Sequence, residues 1–350
     1  MRLLEIREQA WSNAPVALPG KAMRARFAPA SFLRIRHSHS PSNMNVFVNG
    51  ILLVGLTATA WLAGRTVARR LKTRRKTLTL DDLATRIDLS IEELTQHQPR
   101  YSTARIPKRN GGTRTLQIPD PGTKRLQRRL LRRLFAGLKS HGAAIGFEIG
   151  RSIVDAARPH VGQAVVVRLD VVDFFSSTTS HRVLNYFRAI GWDEQAAQLL
   201  VRLTTYNGGL PQGAPTSPRL SNLVNGLLDA QLAGLARSRR GQYTRYADDL
   251  TMSFRRISGK RIRGVIQRAE RILAGHGYHL HLKRKLHIRR RHQQQQVLGL
   301  VVNSGVRLSR KKRRWLRAVR HRLRTTGECS LTPEQLDGWA AFEHMIESQR

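Results

Sequence analysis

Two adjacent carboxylates, Asp248 and Asp249, sit between short, largely apolar stretches in the run Tyr243 to Phe254 (YTRYADDLTMSF). Acids at the edge of a core cost on the order of several kcal/mol unless a positive partner holds them or they take up protons. A divalent cation meets that need, because Mg²⁺ is bound by one or two carboxylates together with phosphates and water. An Asp-rich turn is the plainer reading, since Asp suits turns for backbone reasons of its own. The segment reads as two strands joined at the Asp pair, a β-hairpin with acid at its tip.

A second acidic element lies upstream. Ala164 to Leu169 (AVVVRL) is a β-branched run of the kind that forms buried strands, and it ends in Asp170. Between the two acidic segments stands the loop Leu210 to Pro215 (LPQGAP), preceded by Gly208 and Gly209 and followed by an apolar, helix-like segment from Leu220 to Leu235. One carboxylate from each strand could bridge two metal ions in an in-line phosphoryl transfer.

Read in order, Asp170 to Phe175 (DVVDFF), Leu210 to Pro218 (LPQGAPTSP) and Tyr246 to Asp249 (YADD) resemble the palm of a reverse transcriptase. The resemblance runs over residues 78–346. Ile106 to Pro119 (IPKRNGGTRTLQIP) is similar to the fingers hairpin of bacterial reverse transcriptases, and Gly146 to His160 (GFEIGRSIVDAARPH) to the stretch before the first acidic strand of retron-type enzymes. Gly277 to Leu286 (GYHLHLKRKL), Val297 to Asn303 (VLGLVVN) and Leu308 to His321 resemble the lysine motif, the primer grip and the start of the thumb, and Gly338 to Phe342 (GWAAF) resembles the close of retron-type chains. Two motifs depart from the retron pattern. Ala156 to His160 keeps the His of Asn-Ala-x-x-His without the Asn, and Val297-Leu298-Gly299 stands for Val-Thr-Gly.

The resemblance implies an α+β right-hand polymerase, with fingers and an antiparallel palm sheet packed on helices over residues 78–306 and a short helical thumb over 307–350. It implies an RNA-directed DNA polymerase in which Asp170, Asp248 and Asp249 are catalytic and, with the Val171 carbonyl, hold two Mg²⁺ ions, Mn²⁺ being a substitute. Phe175 takes the place of the bulky ring that excludes a ribose 2′-hydroxyl, with core packing as its alternative. Lys108, Arg114, Gln212 and one of Lys283 and Lys285 are the residues expected at the incoming nucleotide, Gln212 being otherwise a polar turn residue. His160, Arg310, Lys311, Arg314 and Arg317 are expected on RNA. The implied partners are an RNA template, a cognate noncoding RNA, deoxynucleoside triphosphates, the DNA product and a defence effector protein. An untemplated or protein-primed polymerase of the abortive-infection type and a silent, membrane-associated RNA-binding protein are the alternatives.

Composition points the same way. A formal charge of +39 on 350 residues is the footprint of a polyanion partner, although a solvated basic face or anionic lipid would also use it. Aromatics make up 6%, too few for a binder built on base stacking. The single Cys329 excludes an internal disulfide and fits a reducing compartment. His276, His279, His281 and His287 alternate with Arg and Lys and suit nucleic acid or open surface better than a metal.

The amino terminus differs in kind. Residues 1–43 carry scattered Arg with Ser, Pro and Ala, and read as disordered or as an extension upstream of a start at Met44. Val46 to Gly64, 19 residues without a charge, just meets the length of a membrane span within the segment 44–64, and the seven basic residues of Arg65 to Lys76 would hold the following chain in the cytoplasm, anchored to the inner membrane. An interfacial helix is the alternative. After the basic linker 65–77, Thr79 and Ser90 are placed to cap two helices with acidic first turns, which sets the catalytic domain boundary near Leu78.

Overall fold

The computed structural model describes residues 77–107, 111–281, 286–328 and 330–349. The readings for residues 1–76, including the apolar segment, and those for Lys108, Lys283, Lys285 and Cys329 lie outside them. Among the described residues no helix is long and apolar enough to cross a membrane.

Thr79 and Ser90 act as expected. Each side-chain oxygen accepts a backbone N–H three residues on, and Asp82 and Glu93 return the bond, closing capping boxes on α1 (Leu80–Ile87) and α2 (Ile91–Gln96). Next, β1 (Tyr101–Pro107) pairs antiparallel with β2 (Thr113–Pro119), placing Ile106 opposite Arg114. This hairpin begins at Tyr101 rather than Ile106, because both strands are largely exposed and carry little of the apolar alternation that marks a strand in sequence.

The chain continues through α3 (Pro121–Leu130), α4 (Ile153–Ala157), β3 (Val165–Asp170), α5 (Ser180–Ala189), α6 (Glu194–Thr204), α7 (Ser217–Val224) and α8 (Gly226–Arg237). The apolar segment expected as one helix from Leu220 to Leu235 is thus two. Asn225 breaks it: its amide donates back to the Ser221 carbonyl and to the Tyr278 hydroxyl and accepts from Arg182, contacts that hold the residue outside the helical geometry. Leu83, Ile87, Leu94, Leu130, Phe187, Leu200 and Leu220 unite helices α1, α2, α3, α5, α6 and α7 in one core.

A second core lies under the central sheet. Strands β4 (Gly241–Tyr246) and β5 (Asp249–Phe254), then α9 (Gly259–Gly275) and β6 (His287–Arg290), complete an antiparallel sheet of order β4-β5-β3-β6. Alternation sends Val165, Val167, Leu169, Leu250, Met252 and Phe254 to the face that packs on α8 and α9. A third core joins β7 (Gln296–Val297), β8 (Leu300–Val301) and β9 (Arg307–Leu308) to α10 (Arg310–Thr326) and α11 (Pro333–Ser348) through Leu308, Leu316 and Ile346. The β7–β8 turn places both Leu298 and Gly299 at positive φ, 50° and 85°.

The opposite face of the sheet carries His160, and here the structure corrects the sequence reading. The ring is wholly buried, so it is not an RNA contact. Its Nδ1 lies 2.7 Å from the Ser253 hydroxyl and its Nε2 2.8 Å from that of Thr244, which in turn donates to the Ala156 carbonyl at 3.1 Å. Because Thr244 spends its proton on Ala156, it must accept from Nε2–H, and Nδ1 then accepts from Ser253. The neutral ring thus ties the segment before β3 across β4 and β5.

Burial lowers the His160 pKa from 6.5 to about 3. The folded protein therefore binds fewer protons than the unfolded chain below pH 6.5. The contribution of this group is complete above 6.5 and is lost as pH falls toward 3, by about 1.4 kcal/mol per pH unit. Urea unfolding at pH 7 and pH 5 should show a drop larger by about 2 kcal/mol in the parent than in His160→Asn; equal drops would contradict this account.

Candidate active site

The β3–β5 register sets Asp170 directly opposite Asp249, on the sheet face away from α8 and α9. Asp248 sits beside them in the two-residue connection Ala247-Asp248 between β4 and β5. Ala247 has φ 54°, the positive value a type II′ hairpin turn needs at its first connecting residue and one that costs a non-glycine residue roughly 1–2 kcal/mol. The turn is tied to the end of β3 by the Val171 N–H, which donates to the Asp248 carbonyl at 3.1 Å, and Asp170 is held in turn by the His281 N–H, which donates to its carbonyl at 2.9 Å.

A guanidinium and an imidazole lie beside two of the acids. The Arg168 guanidinium lies 3.2 Å from Asp249, and the His281 ring nitrogen 3.8 Å from Asp170. Sequence reasoning asked for something positive beside the Asp pair, and Arg168, two residues before Asp170 on the same face, is part of the answer. Among the described residues no group of three or more His, Cys, Asp or Glu is placed to hold a metal ion by itself. Carboxylates on two adjacent strands and on the turn that leads into one of them are oxygen donors of the kind Mg²⁺ uses together with substrate phosphates and water.

Behind the hairpin lies a feature the sequence reading passed over. Arg245, inside the stretch read as apolar, is fully buried with Asp229 of α8 in a two-pronged pair, Nε to Oδ1 at 2.7 Å and the second prong at 2.6 Å. Asn222 accepts from the same guanidinium at 3.1 Å, and the Tyr243 hydroxyl donates to Asp229 at 2.9 Å. Burial alone would lower the Arg245 pKa; Asp229 more than offsets it and keeps the group charged. An Arg in a strand next to buried neighbours was the signal available in the sequence.

The LPQG loop docks on the β1–β2 hairpin. The Gln117 N–H donates to the Gln212 carbonyl at 2.8 Å, and the Gln212 N–H to the Gln117 side chain at 3.0 Å. Gly213 has φ 133°, and a Cβ there would stand 2.8 Å from the Gln117 carbonyl oxygen, so only glycine lets the loop close on β2. Gln212 is thereby held by its backbone, and Arg114 is exposed on the same strand β2.

Phe175 is half-buried, 5.5 Å from the Phe174 ring and 6.4 Å from that of Phe147, which is itself 5.7 Å from Tyr246. Arg310, Lys311, Arg314 and Arg317 are exposed on α10. The structure thus gathers Asp170, Asp248 and Asp249 at one end of the sheet, with Phe175 linked to Tyr246 through Phe147.

The family described as reverse transcriptase (RNA-dependent DNA polymerase) matches residues 106–302. The retron Mx65 reverse transcriptase of Myxococcus xanthus is 37% identical over 299 residues, covering 78% of this chain and 69% of that protein. The chain belongs to the retron-type reverse transcriptases. Retron Ec86 reverse transcriptase of Escherichia coli is 35% identical over 237 residues, 67% of this chain and 72% of that one. Retron Mx162 reverse transcriptase of Myxococcus xanthus is 37% identical over 281 residues, 71% of this chain and 58% of that one. This reverse transcriptase is accordingly an RNA-directed DNA polymerase, built of helices and antiparallel sheets, and the family uses divalent metal ions. Its departures at Ala156 and Leu298 fall within that membership.

Two outcomes test the geometry. Asp229→Ala should lose about 3–5 kcal/mol in denaturant unfolding by stranding Arg245, and Asp229→Leu with Arg245→Met should lose clearly less. Gly213→Ala should lower primer-extension activity about ten- to a hundredfold with little change in Tm, because it shifts the loop and not a core.

Proposed function

We propose that this reverse transcriptase synthesises DNA on RNA with Asp170, Asp248 and Asp249 as the ligands of two Mg²⁺ ions, joined by the Val171 carbonyl. The observation that carries this reading is the register that sets Asp170 across from Asp249 with Asp248 in the adjoining turn. When bound, Mg²⁺ lowers the pKa of the primer 3′-hydroxyl and offsets charge on the departing pyrophosphate. Arg168 and His281 hold the acids in place beforehand. Gln212, fixed by its backbone to Gln117, presents its amide to the incoming nucleotide. Arg114 on β2 meets its triphosphate, and Lys108 and one of Lys283 and Lys285 are the further residues that the family resemblance assigns to it. Arg310, Lys311, Arg314 and Arg317 of α10 contact backbone phosphates, which position an RNA without specifying it. The template is a cognate noncoding RNA, a reading supported by relatives that are named as retron enzymes. An antiviral role with an effector protein rests on the bacterial resemblance alone. The work takes place in the cytoplasm, where deoxynucleotides are made.

Primer extension on an RNA template with Mg²⁺ tests the reading. Asp248→Ala with Asp249→Ala should lower the rate by roughly 10² to 10⁴ or more, and an unchanged rate would refute the assignment. Phe175→Ala should admit ribonucleotides, measured as the ratio of deoxy to ribo incorporation; an unaltered ratio would remove the ring from sugar selection.

A further inference from the structure

We infer that Phe147 contacts the incoming nucleotide, forming with Phe175 and Tyr246 the apolar wall against which its sugar and base rest. The first observation is conformational. Ile145 to Glu148 form a turn closed by the Glu148 N–H to the Ile145 carbonyl at 3.4 Å, and Phe147 stands at its third position with φ 64°. That position of a type II turn calls for glycine, and a bulky residue persists there only when its surroundings enforce it.

The surroundings do enforce it. The Ile145 N–H donates to the Arg245 carbonyl at 2.9 Å, and Asn222 donates to the Gly146 carbonyl at 2.6 Å and to Glu148 at 2.8 Å, while Arg219 pairs with Glu148. Gly146 lies so close to Tyr246 that a Cβ would come within 3.0 Å of its ring. The loop is therefore locked to the hairpin that carries Asp248 and Asp249.

The ring so presented is 44% exposed, yet it touches Phe175 and Tyr246. Folding alone would be served better by glycine at 147. A strained backbone that holds an aromatic face half in water next to the hairpin that carries the carboxylates is accounted for by a ligand with a flat apolar face, and a nucleotide whose phosphates meet metal ions held by Asp170 and Asp249 brings its sugar and base to this wall. The inference rests on the roles proposed for the carboxylates and Phe175.

Steady-state primer extension at saturating primer and RNA template, with KM and kcat for one deoxynucleotide and for its ribonucleotide counterpart, tests it on Phe147→Gly, Phe147→Tyr and Phe175→Ala. Phe147→Gly suits the turn, so its effect reports the ring and not the backbone. It should raise KM about tenfold with kcat within about threefold, the split expected when a binding contact is lost. Phe147→Tyr should stay within about twofold of the parent. An unchanged KM in Phe147→Gly, or an equal loss in Phe147→Tyr, would overturn the inference. If Phe175→Ala still alters sugar preference in that event, only the role of Phe147 falls; if Phe175→Ala is also silent, the nucleotide wall falls with it.

Discussion

The antiparallel register between β3 and β5 is the constraint on which the rest depends. Side chains alternate along a strand, so a slip of one residue would turn Asp170 toward the helices and Val171 toward the site. The register is guarded on one face by Val165, Val167 and Leu169 meeting Leu250, Met252 and Phe254, and on the other by Arg168 reaching Asp249. His160 adds a brace from outside, since its two hydroxyl partners lie on β4 and β5. Asp170 and Asp249 are thus held opposite one another, with Asp248 in the adjoining turn, by packing on one side of the sheet and by the Arg168 guanidinium and a neutral imidazole on the other.

The hairpin that carries two of those acids is held from beneath by a charge pair with no access to water. Burying Arg245 and Asp229 gains little net stability over apolar residues, and the pair is better understood through what it fixes. The Arg245 side chain ties β4 to α8 and, through Asn222, to α7, while its backbone binds the loop that presents Phe147. Strain at Ala247 and Phe147 sits on either side of this anchor, where a rigid support can sustain backbone conformations that an ordinary turn would relax.

Much of the site was legible in the sequence because its signals are local. Strand β3 reads from its β-branched run, the acidic hairpin from the Asp pair, and the first two helices from Thr79 and Ser90. What escaped depends on distant partners. His160 looked available to RNA because nothing nearby in sequence shows the hydroxyls of Thr244 and Ser253 that enclose it. Arg168 lies in plain view two residues before Asp170, but its pairing with Asp249 is a cross-strand contact 81 residues apart. Asn225 divided a continuous apolar segment through side-chain bonds to Arg182 and Tyr278, which no helical period reveals.

The claim that these acids form one metal site is tested most directly by counting ions in the assembled complex. Mn²⁺ binding, followed by electron paramagnetic resonance with a dideoxy-terminated primer on an RNA template and a matched deoxynucleotide, should give two ions per chain in the parent. Asp170→Asn with Asp249→Asn should bind fewer while retaining primer and template. An equal count in the two proteins would contradict the account, because the ions would then be held by something other than the carboxylates that the sheet brings together.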